Sequence, residues 1–260
     1  MEPALPVIYN KPKEEVFKIL EKINTLVFDV DDTLISFRGK TPNLTHTSSY
    51  RIVEHNLGLS KNPEFEEVLK QYLELSKKRE MCKELIDLLK KLDSFWKGKS
   101  LITASQGLYP IPFFPGVINF FDQIKKVGNY FVGLISSGPS FFISLVAKEL
   151  GANYFEGTDV EVDSHGFFTG NNKSPHLFGK AESLNKLCRY HGKDITNTIY
   201  HGDREYDIDA LKEAGLGIAV RPAGGIYGET AKAADVVLLD WGAHPLLEFL
   251  RLKRENKVNF

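Results

Sequence analysis

Asp29, Asp31 and Asp32 fall within four residues at the end of the segment TLVFDVDDTL. Like charges so crowded repel one another unless a cation sits between them or one keeps its proton. The segment therefore asks for a metal ion, an acid, or both. An Asp-rich turn that caps the next helix is the plainer alternative. Farther along, ISSG places Ser136, Ser137 and Gly138 where a tight turn can aim hydroxyl and backbone N–H groups at an anion. YHGDREYD adds Asp203 and Asp207, and Lys180 opens a predicted helix. Each residue has an ordinary role as turn, cap or solvated lysine. Together they supply carboxylates, phosphate-sized donors and one cation.

These residues need elements to carry them. Leu26, Val27 and Phe28 form an uninterrupted apolar run of good strand propensity, which predicts a strand covered on both faces. Ligands of open α/β sheets collect beyond the strands' C-terminal ends, and the two-residue period sends Asp29 and Asp31 toward the same side. KPKEEVFKILEKIN carries apolar residues at helical spacing and should pack beside that strand. From Val117 helix and strand alternate: VINFFDQIKKVGN, YFVGLISSG, PSFFISLVAKELGA, then GKAESLNKLCRYHG, NTIYHGD, YDIDALKEAG, LGIAV and ADVVLLD. TDVEVDSHGFFTG reads as a hairpin turning at Ser164, His165 and Gly166.

Between the first strand and Val117 the texture differs. Arg38 to Leu59 is mixed, and Asn62 before Pro63 reads as a helix cap with proline at the first helical position. Phe65, Val68, Leu69, Tyr72 and Leu73, then Met81, Leu85, Ile86, Leu89 and Leu92, give helical stripes suited to two helices. Pro110, Pro112 and Pro115 in LYPIPFFPG disfavour helix and predict a stiff connector. The expectation is an α/β protein: a parallel-sheet core from 1–37 and 115–260, interrupted by a helical insert at 38–114.

The chain has 260 residues, 42% of them hydrophobic, and a net charge of -1, so no global field favours a polyanion. No Lys/Arg run with interleaved aromatics suits nucleic acid, no stretch approaches the roughly 20 apolar residues that span a bilayer, and the N-terminus has no leader-like composition. Cys82 and Cys188 lie far apart, which fits free thiols and a cytoplasmic location. His165, His176, His191 and His244 show no zinc-site spacing, and His201 is expected to be a hydrogen-bonded structural residue.

The motifs DVDDT, ISSG, Lys180 and GDREYD, in that order, resemble those of the haloacid dehalogenase superfamily of phosphohydrolases. The stretch 115–222, with EVDSHGFFTG and AGLGIAV, is similar to its phosphoserine phosphatase branch. The resemblance implies a Rossmann-like three-layer core with an inserted α-helical cap, and a magnesium-dependent phosphatase of a small phosphomonoester metabolite. Asp29 then corresponds to the nucleophile that forms an aspartyl phosphate, and Asp31 to the acid that protonates the leaving oxygen and later activates water. Mg2+ would lie between Asp29, the Asp31 backbone carbonyl and Asp203, with Asp207 supporting that shell. Ser136 and Lys180 would hold phosphoryl oxygens, in the same turn as Ser137 and Gly138.

Asp31 argues against carbon–halogen cleavage, because the dehalogenase branch lacks an acid at that position. Asp32 is expected to be a turn or cap residue. Arg38 stands nine residues past Asp29, where the phosphoserine branch carries a Glu for the substrate ammonium. An arginine repels an ammonium, so the expected substrate lacks an amine and bears a second anionic group. The alternatives are a phosphotransferase that passes the phosphoryl group to an alcohol, and a non-catalytic phosphometabolite-binding module.

Overall fold

The computed structural model describes residues 6–38, 48–76, 82–173 and 179–255. Its centre is the apolar run that precedes the aspartates. After β1 (Val7–Tyr9) and α1 (Lys13–Leu20), Thr25–Phe28 forms β2, buried along its whole length. An insert follows with α2 (Ser49–Asn56), α3 (Pro63–Ser76), α4 (Lys83–Ser94) and α5 (Leu101–Ala104). The chain then runs through α6 (Val117–Val127), β3 (Phe131–Pro139), α7 (Ser140–Leu150), β4 (Tyr154–Val162), β5 (Phe168–Lys173) and α8 (Lys180–Tyr190). It closes with β6 (Thr198–Gly202), α9 (Ile208–Glu213), β7 (Leu216–Val220), α10 (Glu229–Ala233), β8 (Val236–Leu238) and α11 (Pro245–Arg254).

The strands form one sheet in the order β1-β8-β7-β6-β2-β3-β4-β5. From β8 to β4 the pairing is parallel, and β1 and β5 close the two edges antiparallel. β2 lies between β3 and β6, so three C-terminal ends meet at one crevice, the place where open α/β sheets bind ligands. Alternation along β2 separates the two cores. Leu26 and Phe28 pack with Phe17, Phe120, Trp241 and Phe249 on one face, and Val27 packs with Leu184, Leu187 and Leu211 on the other. This is the three-layer architecture expected.

The edge strand β1 escapes the sequence reading because three residues are too few to show a period, and its partner β8 lies more than two hundred positions away. In the insert, Asn62 Oδ1 accepts the N–H groups of Glu64 (3.0 Å) and Phe65 (3.3 Å), the cap that the Asn-Pro pair predicts. Two further helices, α2 and α5, occupy stretches in which no element was expected. Met81 and His176 lie outside the described residues.

The chain enters and leaves the insert through one paired passage. Ser36 N–H donates to Pro112 O (3.0 Å) and Phe114 N–H to Leu34 O (2.9 Å), on either side of an Ile35–Phe113 bridge. A second connection comes from the β4–β5 hairpin. Its turn is built by Asp163, whose Oδ1 accepts the N–H groups of His165 and Phe167 at 2.9 Å each. The N–H groups of Gly98 and Leu101 donate to the carbonyls of Phe168 (2.8 Å) and Gly166 (2.9 Å). Trp96, buried, packs edge-on against Phe168 and Tyr50 with ring centroids 5.1 and 5.4 Å apart. Among the described residues no helix is long and apolar enough to cross a membrane.

Candidate active site

Asp29 follows the last residue of β2, and its N–H donates to His201 O on β6 (2.9 Å), which fixes it at the crevice. Its Oδ1 accepts Lys180 Nζ at 2.7 Å, and its Oδ2 accepts the Thr33 hydroxyl at 3.2 Å. Lys180, the first residue of α8, also donates to Asp207 Oδ1 at 2.7 Å. Asp207 is saturated with donors: Tyr200 OH also binds Oδ1 (2.8 Å), and the N–H groups of Asp203 and Arg204 bind Oδ2 (3.0 Å each). Gly202 allows this packing, since a Cβ there would lie 2.3 Å from Asp207 Cγ. Asp203 keeps one oxygen on Arg204 Nε (3.2 Å) and turns the other toward Thr33 Oγ1 (3.4 Å). Asp29, Asp203, Asp207 and Lys180 are all buried.

Burial dominates the electrostatics. It raises the Asp29 pKa, with Lys180 opposing and Asp207 reinforcing the rise. It raises Asp203 well above the usual carboxylate range, helped by Asp29 and Asp207 and opposed by Arg204 and Lys180. At Lys180 burial pulls the pKa down, but Asp207 and Asp29 outweigh it and the group stays charged. One ammonium therefore does not neutralise the cluster. Asp29, Asp203 and Asp207 each offer an oxygen within 4.8 Å of the others. A buried, oxygen-only donor set with surplus negative charge fits a hard divalent cation such as Mg2+.

Asp31 is held differently. Its Oδ1 accepts Ser49 N–H (2.8 Å) and its Oδ2 the Ser49 hydroxyl (2.7 Å), so the first turn of α2 delivers two donors to one carboxyl group. Burial pushes its pKa up to about 7, against the pull of those donors and with smaller upward contributions from Asp29 and Asp32. Gly138, at the end of β3, lies flush against the pair: a Cβ there would be 2.6 Å from Ser49 Oγ and 3.3 Å from Asp31 Oδ2. The tight turn expected at Ser136–Gly138 is instead strand, since β3 runs on to Pro139 with a register shift against β4 after Ile135; within it the buried Ser136 Oγ accepts Gly138 N–H (3.0 Å), and the exposed Ser137 accepts Thr158 Oγ1 at its carbonyl (2.8 Å).

Contacts at the ends of β2, β3 and β6 thus join Asp29, Lys180, Asp203 and Asp207, and bring Gly138 against Asp31, while Ser136 and Ser137 precede Gly138 at the end of β3. Asp32 takes the turn role, at φ 59°, and its buried carboxylate ion-pairs with Arg204. Arg38 Nε lies 3.8 Å from the other oxygen of Asp32. Sequence reasoning missed Thr33, Ser49, Tyr200 and Arg204. Thr33 and Arg204 stand inside the motifs already quoted, whereas Ser49 sits in a stretch without periodicity and gives no signal.

His201 is structural, as expected. It stacks on Phe28 (4.2 Å between centroids), and its ring nitrogens meet Val27 O (3.0 Å) and His244 Nε2 (2.9 Å). His244 Nδ1 accepts Leu246 N–H (3.1 Å), so its Nε2–H donates to His201, whose Nδ1–H donates to Val27. Burial lowers the His201 pKa to about 3, and both rings are neutral.

A model of the haloacid dehalogenase-like hydrolases matches residues 26–212, more than half of the chain. The chain belongs to the haloacid dehalogenase-like hydrolases. Within that family, a phosphoserine phosphatase of Streptomyces coelicolor is 27% identical over 128 residues, 48% of this chain and 31% of that protein. The chain spans 26% of the length of a phosphoserine phosphatase of Mycobacterium tuberculosis and 51% of that of one from Streptococcus thermophilus. A solved phospho-aspartyl intermediate analogue of phosphoserine phosphatase shares the fold, with a TM-score of 0.64, 22% identity and coverage of 88% of this chain and 98% of that one. A cytosolic 5'-nucleotidase IIIB bound to cytidine does so with a TM-score of 0.67, 17% identity and coverage of 97% and 95%.

Proposed function

We propose that the chain is a magnesium-dependent phosphatase that hydrolyses a small phosphomonoester metabolite through an aspartyl phosphate on Asp29. The observation that carries this reading is the unequal treatment of two neighbouring carboxyl groups. Lys180 touches Asp29 and opposes the burial that raises its pKa, whereas Asp31 meets no cation among the described residues and sits near pKa 7, poised to give and take a proton. Asp29 attacks phosphorus, the bond to the leaving oxygen breaks, and that oxygen takes the Asp31 proton. Asp31, now a carboxylate, removes a proton from a water that attacks the same phosphorus, which releases inorganic phosphate and restores Asp29. Lys180 and the Ser136–Gly138 end of β3 hold the phosphoryl oxygens. Asp29, Asp203 and the Asp31 carbonyl, with Asp207 behind them, would hold Mg2+, which would supply positive charge against the phosphoryl group.

The insert at 38–114 acts as the cap over a core of 1–37 and 115–260, and through Ser49 it completes the acid. The relatives are named for phosphoserine. Arg38, exposed and directed at Asp32, instead supports an amine-free substrate with a second anionic group. The free thiols of Cys82 and Cys188 support a reducing, cytoplasmic setting.

Phosphate release from a panel of monoesters, with and without Mg2+, tests the reading. Metal-dependent release is expected, faster from phosphocarboxylates than from phosphoserine, and Arg38→Glu should reverse that order. Binding of panel members without any release would overturn the enzyme reading. Phosphorylated product from an added alcohol, in place of free phosphate, would assign transfer instead of hydrolysis.

A further inference from the structure

The proposed chemistry leaves Asp32 without a task, although its conformation and burial are costly. Its φ of 59° is a left-handed conformation that L-residues rarely adopt, and its N–H is locked onto Ile35 O at 2.8 Å. Its carboxylate is buried and pairs with Arg204 Nη2, across 172 positions of sequence. The same guanidinium donates through Nε to Asp203 Oδ2 at 3.2 Å. Arg204 is fixed from behind as well, since its N–H donates to Asp207 Oδ2 at 3.0 Å. A planar guanidinium presents its donors in a rigid fork. One fork held by Asp32 thus sets the rotation of the Asp203 carboxylate.

We infer that Asp32 and Arg204 are positioning residues, forming a clamp that occupies one oxygen of Asp203 and reserves the other for a small divalent cation. This rests on the cation site of the proposed function and goes beyond it by assigning the source of its selectivity. Asp203 Oδ2 is covered by Arg204, and Oδ1 faces Thr33 and the carboxylate cluster. Mg2+ takes single oxygens in a tight octahedron, whereas the larger Ca2+ takes more oxygens and readily grips both atoms of one carboxylate. A carboxylate held to one free oxygen favours the smaller ion.

Arg204 is also a counter-charge, and the two roles separate by experiment. A change in local charge alters the affinity of two ions of equal charge in parallel and cancels in their ratio, whereas a change in carboxylate geometry does not. The experiment measures Mg2+ and Ca2+ binding by calorimetry, without substrate, for the unaltered chain and for R204Q, R204K and D32N. Thermal unfolding in chelator checks that each variant folds.

The Ca2+-to-Mg2+ affinity ratio should rise about tenfold in R204Q. R204K should show a comparable rise, since it keeps the charge and loses the fork, and D32N a smaller one. A ratio unchanged in R204K and D32N would overturn the clamp while leaving the cation site intact, even if R204Q proved unfolded. An unaltered chain that binds neither ion would remove the proposed cation site and the clamp together.

Discussion

Ser49 is the residue whose removal tests the acid most directly. Its hydroxyl (2.7 Å) and N–H (2.8 Å) both stabilise the carboxylate form of Asp31, against the burial that pushes the group to about pKa 7. In Ser49→Ala the N–H remains and the hydroxyl is lost. A hydrogen bond to a charged acceptor contributes about 1.5–3 kcal/mol, and water entering the space restores part of that. A net loss of about 1.4 kcal/mol corresponds to about one pH unit. The sign follows from which form loses its partner: the charged form is destabilised, so the pKa rises. The leaving oxygen needs the protonated form, so the alkaline limb of kcat/KM should move up by about one unit. A bound cation displaces this limb in both proteins alike, so the difference carries the prediction. The assay is the pH dependence of kcat/KM at saturating Mg2+, with Ser49→Thr as the control that keeps a hydroxyl. A limb that stays in place in Ser49→Ala, or moves to lower pH, would refute the assignment of Asp31 as acid.

Asp29→Asn should abolish both turnover and the phosphorylated protein seen by intact mass after rapid quenching, and persistence of either would remove Asp29 as nucleophile. Lys180→Met leaves Asp29 and Asp207 facing each other without a cation, which should cost about 3–5 kcal/mol in urea unfolding at neutral pH. Because the folded Asp29 already has a raised pKa and so binds its proton more tightly than in the unfolded chain, that deficit should shrink as pH falls; a deficit independent of pH would contradict it. Trp96→Ala, which empties the space between Tyr50 and Phe168, should destabilise the protein by about 3–5 kcal/mol in the same assay.

Much of this architecture is legible in the chain because its signals are local. The apolar run before Asp29, the Asn62-Pro63 pair and the Asp163 turn each carry their instruction within a few residues. Most site residues are legible because they stand at the ends of β2, β3 and β6, with Lys180 at the start of α8. What local pattern does not carry is partnership across the fold. Nothing around Ser49 foretells that it will meet Asp31, and Arg204 reaches Asp32 only once β6 has settled beside β2. β1 finds β8 by edge pairing, α2 lies in a stretch of mixed composition, and α5 is too short to show a stripe. His201 and His244 meet because α11 returns to the same core face as Phe28.

The passage between core and insert is one strand pair wide, which at first sight invites exchange of the insert as a module. The contacts of Gly98, Leu101 and Trp96 with the β4–β5 hairpin contradict that simplicity, because half of the seam belongs to a segment encoded far downstream. A graft of a foreign insert onto this scaffold would strip the Trp96 ring from Phe168 and leave the hairpin without its docking carbonyls and amides. Swapping the two segments as a matched set, through separate cuts in the gene, is the manipulation the molecule would tolerate.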